Sequence, residues 1–112
     1  LVQLLDFSLG IAPHLRRVTN LVSMGQGEPF QNYQATLEAL RFANAKDGLE
    51  IGARHITVST CGIIRGIERL ANEPEQFTLA VSLHSALQDV RNEIMPRCSN
   101  IPLPHLKKAL RS

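Results

Sequence analysis

Tryptophan is absent from this 112-residue sequence, tyrosine occurs once and cysteine twice. Two cysteines, Cys61 and Cys98, cannot make a disulfide framework, and their spacing matches no zinc-ligand pattern. They fit a reducing, cytoplasmic setting. Cys61 reads as a small turn or packing residue and Cys98 as a surface-loop thiol. No apolar run reaches the ~18 residues of a membrane span, so no membrane partner is expected. The opening residues have neither the basic start nor the small-residue cleavage site of a signal peptide. Methionine does not lead the chain, which reads as a piece of something longer. Charge of one sign is scarce too: twelve basic and ten acidic side chains leave a net +2. That balance neither marks nor excludes a nucleic-acid binder, whose signature is a concentrated basic stripe. No Walker A sequence is present. Gly25-x-Gly27 is no dinucleotide fingerprint, because Phe30 stands where the third glycine belongs and Pro29 interrupts the turn.

What is present is ordinary for a globular domain. The sequence is 44% hydrophobic and 20% charged, which excludes collagen-like and disordered chains. Its length suits one small domain, taken as residues 1–112. Residues 1–9 read as the end of a helix closed by Gly10. Residues 18–24 (VTNLVSM) read as a buried strand, followed by a glycine-containing turn at 25–29. Asn32 is the expected N-cap of a helix over Tyr33–Asn44. A second strand covers 55–60, a helix opened by Gly62 ends near Asn72, and a third strand covers 77–83. A short helix over 89–95 stops at Pro96, and a last one covers 105–111. Strands alternating with helices imply a parallel sheet of (β/α) repeats. Three strands leave two open edges, so pairing between copies of the chain is an expectation.

Alternation along the strands separates two kinds of face. Thr57 and Ser59 oppose Ile56 and Val58; Thr78, Ala80 and Ser82 oppose Leu79, Val81 and Leu83. In the first strand Thr19, Leu21 and Ser23 oppose Asn20, Val22 and Met24. Hydroxyls are costly inside an apolar layer unless bonded, so faces that repeat them are expected to line a polar cavity. The carboxyl ends, where parallel α/β folds bind ligands, carry Gly25–Pro29, then Ser59-Thr60-Cys61-Gly62, then Ser82-Leu83-His84-Ser85. Glu28 is the most suggestive residue. A carboxylate beside glycines can hold an ammonium group, or equally serve as a first-turn acid at a helix N-terminus. Gly-x-Gly can be a plain turn, Ser59 a backbone-bonded residue and His84 a helix-approach cap. His14, His55 and His105 show no evident partners. Asp6, Asp89 and Glu93 read as surface charges. Arg16, Arg17, Arg54, Arg97, Lys107 and Lys108 read as solvated rather than phosphate-binding.

The run VTNLVSMGQGEPFQNY (18–33) resembles radical S-adenosylmethionine (SAM) enzymes of the RlmN/Cfr type, which are RNA adenine methyltransferases. ARHITVSTCGIIRGIERLA (53–71) and LAVSLHSALQDVRNEIMP (79–96) resemble the same family in the same order, and IPLPHLKKAL is similar to the helix that follows. The resemblance implies a fragment of a partial (β/α)6 radical SAM barrel. It implies SAM contacts at Gly27 and Glu28, at Ser59, and at Ser82, Leu83 and His84. It implies an enzyme that carries a [4Fe–4S] cluster and methylates C2 of an adenine in 23S rRNA and in tRNA. The family's Cys-x-x-x-Cys-x-x-Cys loop is absent, so neither cluster ligands nor a methyl-carrying cysteine are assigned here, and the chain alone is expected to be inactive. Gln26 replaces the family's Met, and Ser85-Ala86 replaces its Ala-Pro. Two other readings stand beside this one. The first is a nucleotide- or RNA-binding α/β module that has lost the cluster; the second is a small flavodoxin-like binding protein.

Overall fold

The structure, a computed structural model, describes residues 18–111. The helix end expected at 1–9 lies outside the described residues, as do Asp6, His14, Arg16 and Arg17. Three strands, β1 (Leu21–Ser23), β2 (Ile56–Thr60) and β3 (Thr78–Val81), alternate with α1 (Tyr33–Asn44), α2 (Ile64–Ala71), α3 (Gln88–Ile94) and α4 (Leu103–Arg111). All pairings are parallel and the spatial order is β1-β2-β3. That order differs from the opening of a flavodoxin-like sheet, which puts its first strand between its neighbours. Successive strands are thus added on one side only, as in a segment of a (β/α) barrel, and the fold is α/β with parallel (β/α) repeats.

The two faces of β2 divide the molecule. Ile56, Val58 and Thr60 are buried, while Thr57 and Ser59 are half-buried. The buried side packs on Leu37, Leu40 and Ala43 of α1, Ile67 and Leu70 of α2, and Leu106 and Ala109 of α4. Register places Thr57 beside Thr78 and Ser59 beside Ala80, so the small polar residues of β2 and β3 share the opposite face. In β1 the hydroxyl-bearing face is not the open face of the sheet, although Ser23 borders the same polar cavity. Leu21 and Ser23 pair with Ile56 and Val58, and Val22 pairs with Thr57. Since paired residues of adjacent strands point the same way, Ser23 lies on the helix side and Val22 on the open face.

Strand ends fray earlier than the pattern suggests: β1 is three residues rather than seven and β3 four rather than seven. Helix α1 keeps the expected bounds, but Asn32 makes no capping bond. A 3-10 turn over Pro29–Asn32 precedes it, and Glu28 caps that turn by accepting from the Phe30 N–H. Pro104 sits in the first turn of α4, where its missing N–H costs nothing. Cys98, expected at the surface, is buried at 6% exposure within the core cluster. His55 is not partnerless, since its Nδ1 lies 3.2 Å from the Asn20 side-chain nitrogen. Arg54 is also engaged, donating through Nε and Nη2 to Gln76. No helix among the described residues is long and apolar enough to cross a membrane. The structure gives no support to the expected pairing of copies through the outer edges of β1 and β3.

Where α2 meets the 3-10 turn, a Cβ on Gly66 would fall 2.4 Å from Phe30 Cγ and 2.5 Å from its Cβ. Those atoms sit at the root of the side chain and cannot swing aside. Gly66→Ala should therefore destabilise the fold by ~1–2 kcal/mol. Overpacking of ~1–3 kcal/mol outweighs the up to ~1 kcal/mol that alanine gains in a helix. The readout is a lower urea midpoint at unchanged slope.

Tyr33 links α1 to the segment after α2, donating to Glu73, while Arg41 pairs with Glu73 and Glu75 at 2.7 Å each. The Arg69 guanidinium covers the Tyr33 ring at 3.8 Å. Burial, reinforced by the bond to Glu73, pushes the Tyr33 hydroxyl up to about 12. As this raised value belongs to the folded state, the stability it adds is complete below pH ~10 and disappears as pH climbs through 12. Because Tyr33 is the sole tyrosine, an ultraviolet tyrosinate titration should show one step near 12, collapsing towards ~10 in denaturant.

Candidate ligand site at the carboxyl ends of the strands

The site grows from the loop after β1. Gly27, at φ 95°, holds a left-handed conformation suited to glycine, and a Cβ there would meet nothing. The turn it permits delivers Glu28 to the end of β2. Glu28 Oε1 accepts from the Thr60 hydroxyl at 2.7 Å and from the Phe30 N–H at 3.1 Å, and Oε2 accepts from the Cys61 N–H at 2.8 Å. A carboxylate has about four acceptor positions. Three are used, so one remains, on Oε2. Of the two sequence readings of Glu28, the cap of a helical turn is the one seen directly.

Thr60 is the residue the sequence reading passed over. Its hydroxyl donates to Glu28 and accepts from the Gly62 N–H at 3.1 Å. A buried hydroxyl on the apolar side of β2, in alternation with Ile56 and Val58, was the available signal. Beyond β3, the Ser82 N–H donates to the Thr60 carbonyl at 2.8 Å, carrying the pairing one residue past the strand. His84 then turns into a left-handed conformation at φ 59°, uncommon outside glycine and a frequent mark of functional sites. His84 does not cap α3. Ser85 Oγ accepts from the Leu87 N–H at 3.0 Å, so the serine that departs from the family's pattern supplies the local turn.

Gly27, Glu28, Ser59, Ser82 and His84 line one open cavity of about 700 Å³, with Gln26, Thr60, Cys61 and Met95 also on its wall. Leu83 does not line it and is 41% exposed. Five of the six residues picked from sequence therefore meet around one space. Burial, aided by the nearby Cys98 and Glu28 side chains, pushes the Cys61 thiol far above the usual thiol range, so it stays protonated and unreactive at neutral pH. Among the described residues no three His, Cys, Asp or Glu side chains gather into a metal site. Two cysteines in the whole chain also fall short of three cluster ligands.

No family model matches the chain. A "probable dual-specificity RNA methyltransferase RlmN" of Akkermansia muciniphila is 50% identical over 95 residues, covering 85% of this chain and 26% of that protein. A Thermoanaerobacter protein of the same description is 39% identical over 107 residues, or 96% of this chain and 31% of its own. The structure of a radical SAM methyltransferase from Sphaerobacter thermophilus superposes with a TM-score of 0.77 at 48% identity, covering 82% of this chain and 27% of that one. The chain is an RlmN-type fragment by sequence, with the fold of part of a radical SAM methyltransferase. It spans between a quarter and a third of the length of these RlmN relatives.

Replacing Thr60 by the isosteric valine leaves the Gly62 N–H and one Glu28 oxygen short of a partner. Thr60→Val should cost ~1–3 kcal/mol of stability, whereas Thr60→Ser, which keeps the hydroxyl, should cost less than half as much. Denaturant melts of both variants check the difference.

Proposed function

We propose that this chain forms the SAM-binding part of a radical SAM RNA methyltransferase that acts on C2 of adenine in 23S rRNA and tRNA. One observation carries the reading. A glycine-flanked carboxylate with one acceptor position left, two serines and a histidine face a common cavity at the carboxyl ends of three parallel strands. The names of the relatives support the reaction class and an RNA substrate.

The residues fit SAM by chemistry and by size. The free position on Glu28 Oε2 would accept from the ammonium of the methionine moiety, and Gly27 keeps the approach clear of side chains. Ser59 and Ser82 offer hydroxyls to the carboxylate or the ribose, and His84 adds an exposed imidazole at the rim. When bound, SAM supplies the methyl group. The protein's contribution is position and electrostatics. The [4Fe–4S] cluster does not fit this chain's own residues, and no step through it is assigned to them; the isolated 112 residues are therefore expected to have no turnover.

The competing reading, a nucleotide-binding module without a cluster, shares the cavity but gives the ammonium no special weight. Calorimetry separates the two. Glu28→Gln should weaken SAM binding by about 10–100-fold, the equivalent of one charge-assisted hydrogen bond. Equal affinity in the two proteins, or adenosine binding as tightly as SAM, would overturn the assignment.

A further inference from the structure

Helix α3 is inside out. Its apolar residues Val90 and Ile94 are 39% and 53% exposed, and its one buried residue is Arg91, at 0%. The guanidinium lies in the core with Nε unpartnered, and none of the ion pairs among the described residues includes it. A buried cation held this way is unfavourable compared with a hydrophobic residue of similar size, so what it touches matters.

Arg91 Nη2 donates to the Cys61 carbonyl, and Nη1 reaches the Cys98 carbonyl at 3.4 Å. The Cys61 carbonyl and the Gly62 N–H belong to one peptide unit. That N–H donates to Thr60 Oγ1, whose hydrogen goes to Glu28 Oε1. The donors all run in one direction, from guanidinium through peptide and hydroxyl to carboxylate. Each link of such a chain polarises the next, most strongly where water is excluded. Gly62 makes the route possible. At φ 111° it bends the loop, and a Cβ there would lie 3.4 Å from Arg91 Nη2 and 3.2 Å from Leu106 Cδ1.

From this chain of bonds we infer that Arg91 is a positioning residue for Glu28: it fixes the loop after β2 so that the carboxylate's one free acceptor position faces the cavity. The inference rests on the reading of Glu28 as the ammonium partner of SAM. It assigns to a buried residue on the far side of the loop a role in ligand affinity without ligand contact.

The test uses the full-length polypeptide carrying these residues, and two ligands: SAM, and 5′-methylthioadenosine, which lacks the ammonium and carboxylate. Arg91→Met should weaken SAM by about tenfold, one hydrogen bond's equivalent, and leave methylthioadenosine within about twofold. Adding Glu28→Gln to Arg91→Met should weaken SAM no more than Glu28→Gln alone, the non-additivity of residues acting as a unit. If Arg91→Met does not fold, Arg91→Lys takes its place. It keeps the charge but not the two-carbonyl fork, and should show the same selective loss at smaller size. Equal loss for both ligands, additive losses, or no loss for SAM would overturn the inference. A Glu28→Gln protein that binds SAM normally would instead overturn the reading beneath it, and the two failures are distinct.

Discussion

The capture of one carboxylate by two loops organises this molecule. Glu28 arrives on the turn after β1 and is met by the Thr60 hydroxyl and the Cys61 N–H from the end of β2. These are charge-assisted bonds to a half-buried anion, stronger than neutral ones. They tie together segments more than thirty residues apart in sequence, at the place where the strands leave off and the polar rim begins. The same carboxylate caps the start of the 3-10 turn that seats Phe30 against Gly66. Packing and site geometry share this anchor, so a change there would not be confined to either.

The sheet keeps the two duties apart elsewhere. Along β2, Ile56, Val58 and Thr60 go to the helices, and Thr57 and Ser59 go to the open side. With strands in the order β1-β2-β3, all the βα loops collect at one end. A cavity built there from three loops can vary its chemistry without disturbing the layer beneath. The likeness to a radical SAM methyltransferase structure at 48% identity fits that division, although the chain spans about a quarter of that molecule.

Much of this was legible in the residues. Period-two alternation in β2 and β3 gave the correct faces, because each has bulky aliphatics on one side and small polar groups on the other. It failed in β1, where Leu21 and Val22 are both aliphatic and only the register with Ile56 and Thr57 decides. Five of six site residues meet at the cavity; Leu83 lies beyond the end of β3 and is exposed instead. Glu28 was recognised as special, but not that most of its bonding capacity is spent inside the protein. Arg91 was invisible. In a seven-residue helix with Val90 and Ile94 nearby, any pattern rule buries the aliphatics and exposes the arginine, and only the carbonyls of Cys61 and Cys98 explain the reversal.

The two arginine clusters differ in one further respect. Arg41 grips Glu73 and Glu75 with its side chain 41% open to water, where mobile counterions reach within a Debye length of ~8–10 Å and dull the attraction. Arg91 is sealed from them. Ionic strength therefore loosens the clasp between α1 and the end of α2 while leaving the wiring beneath the cavity untouched, and the molecule can soften at its flank in brine without its pocket losing shape.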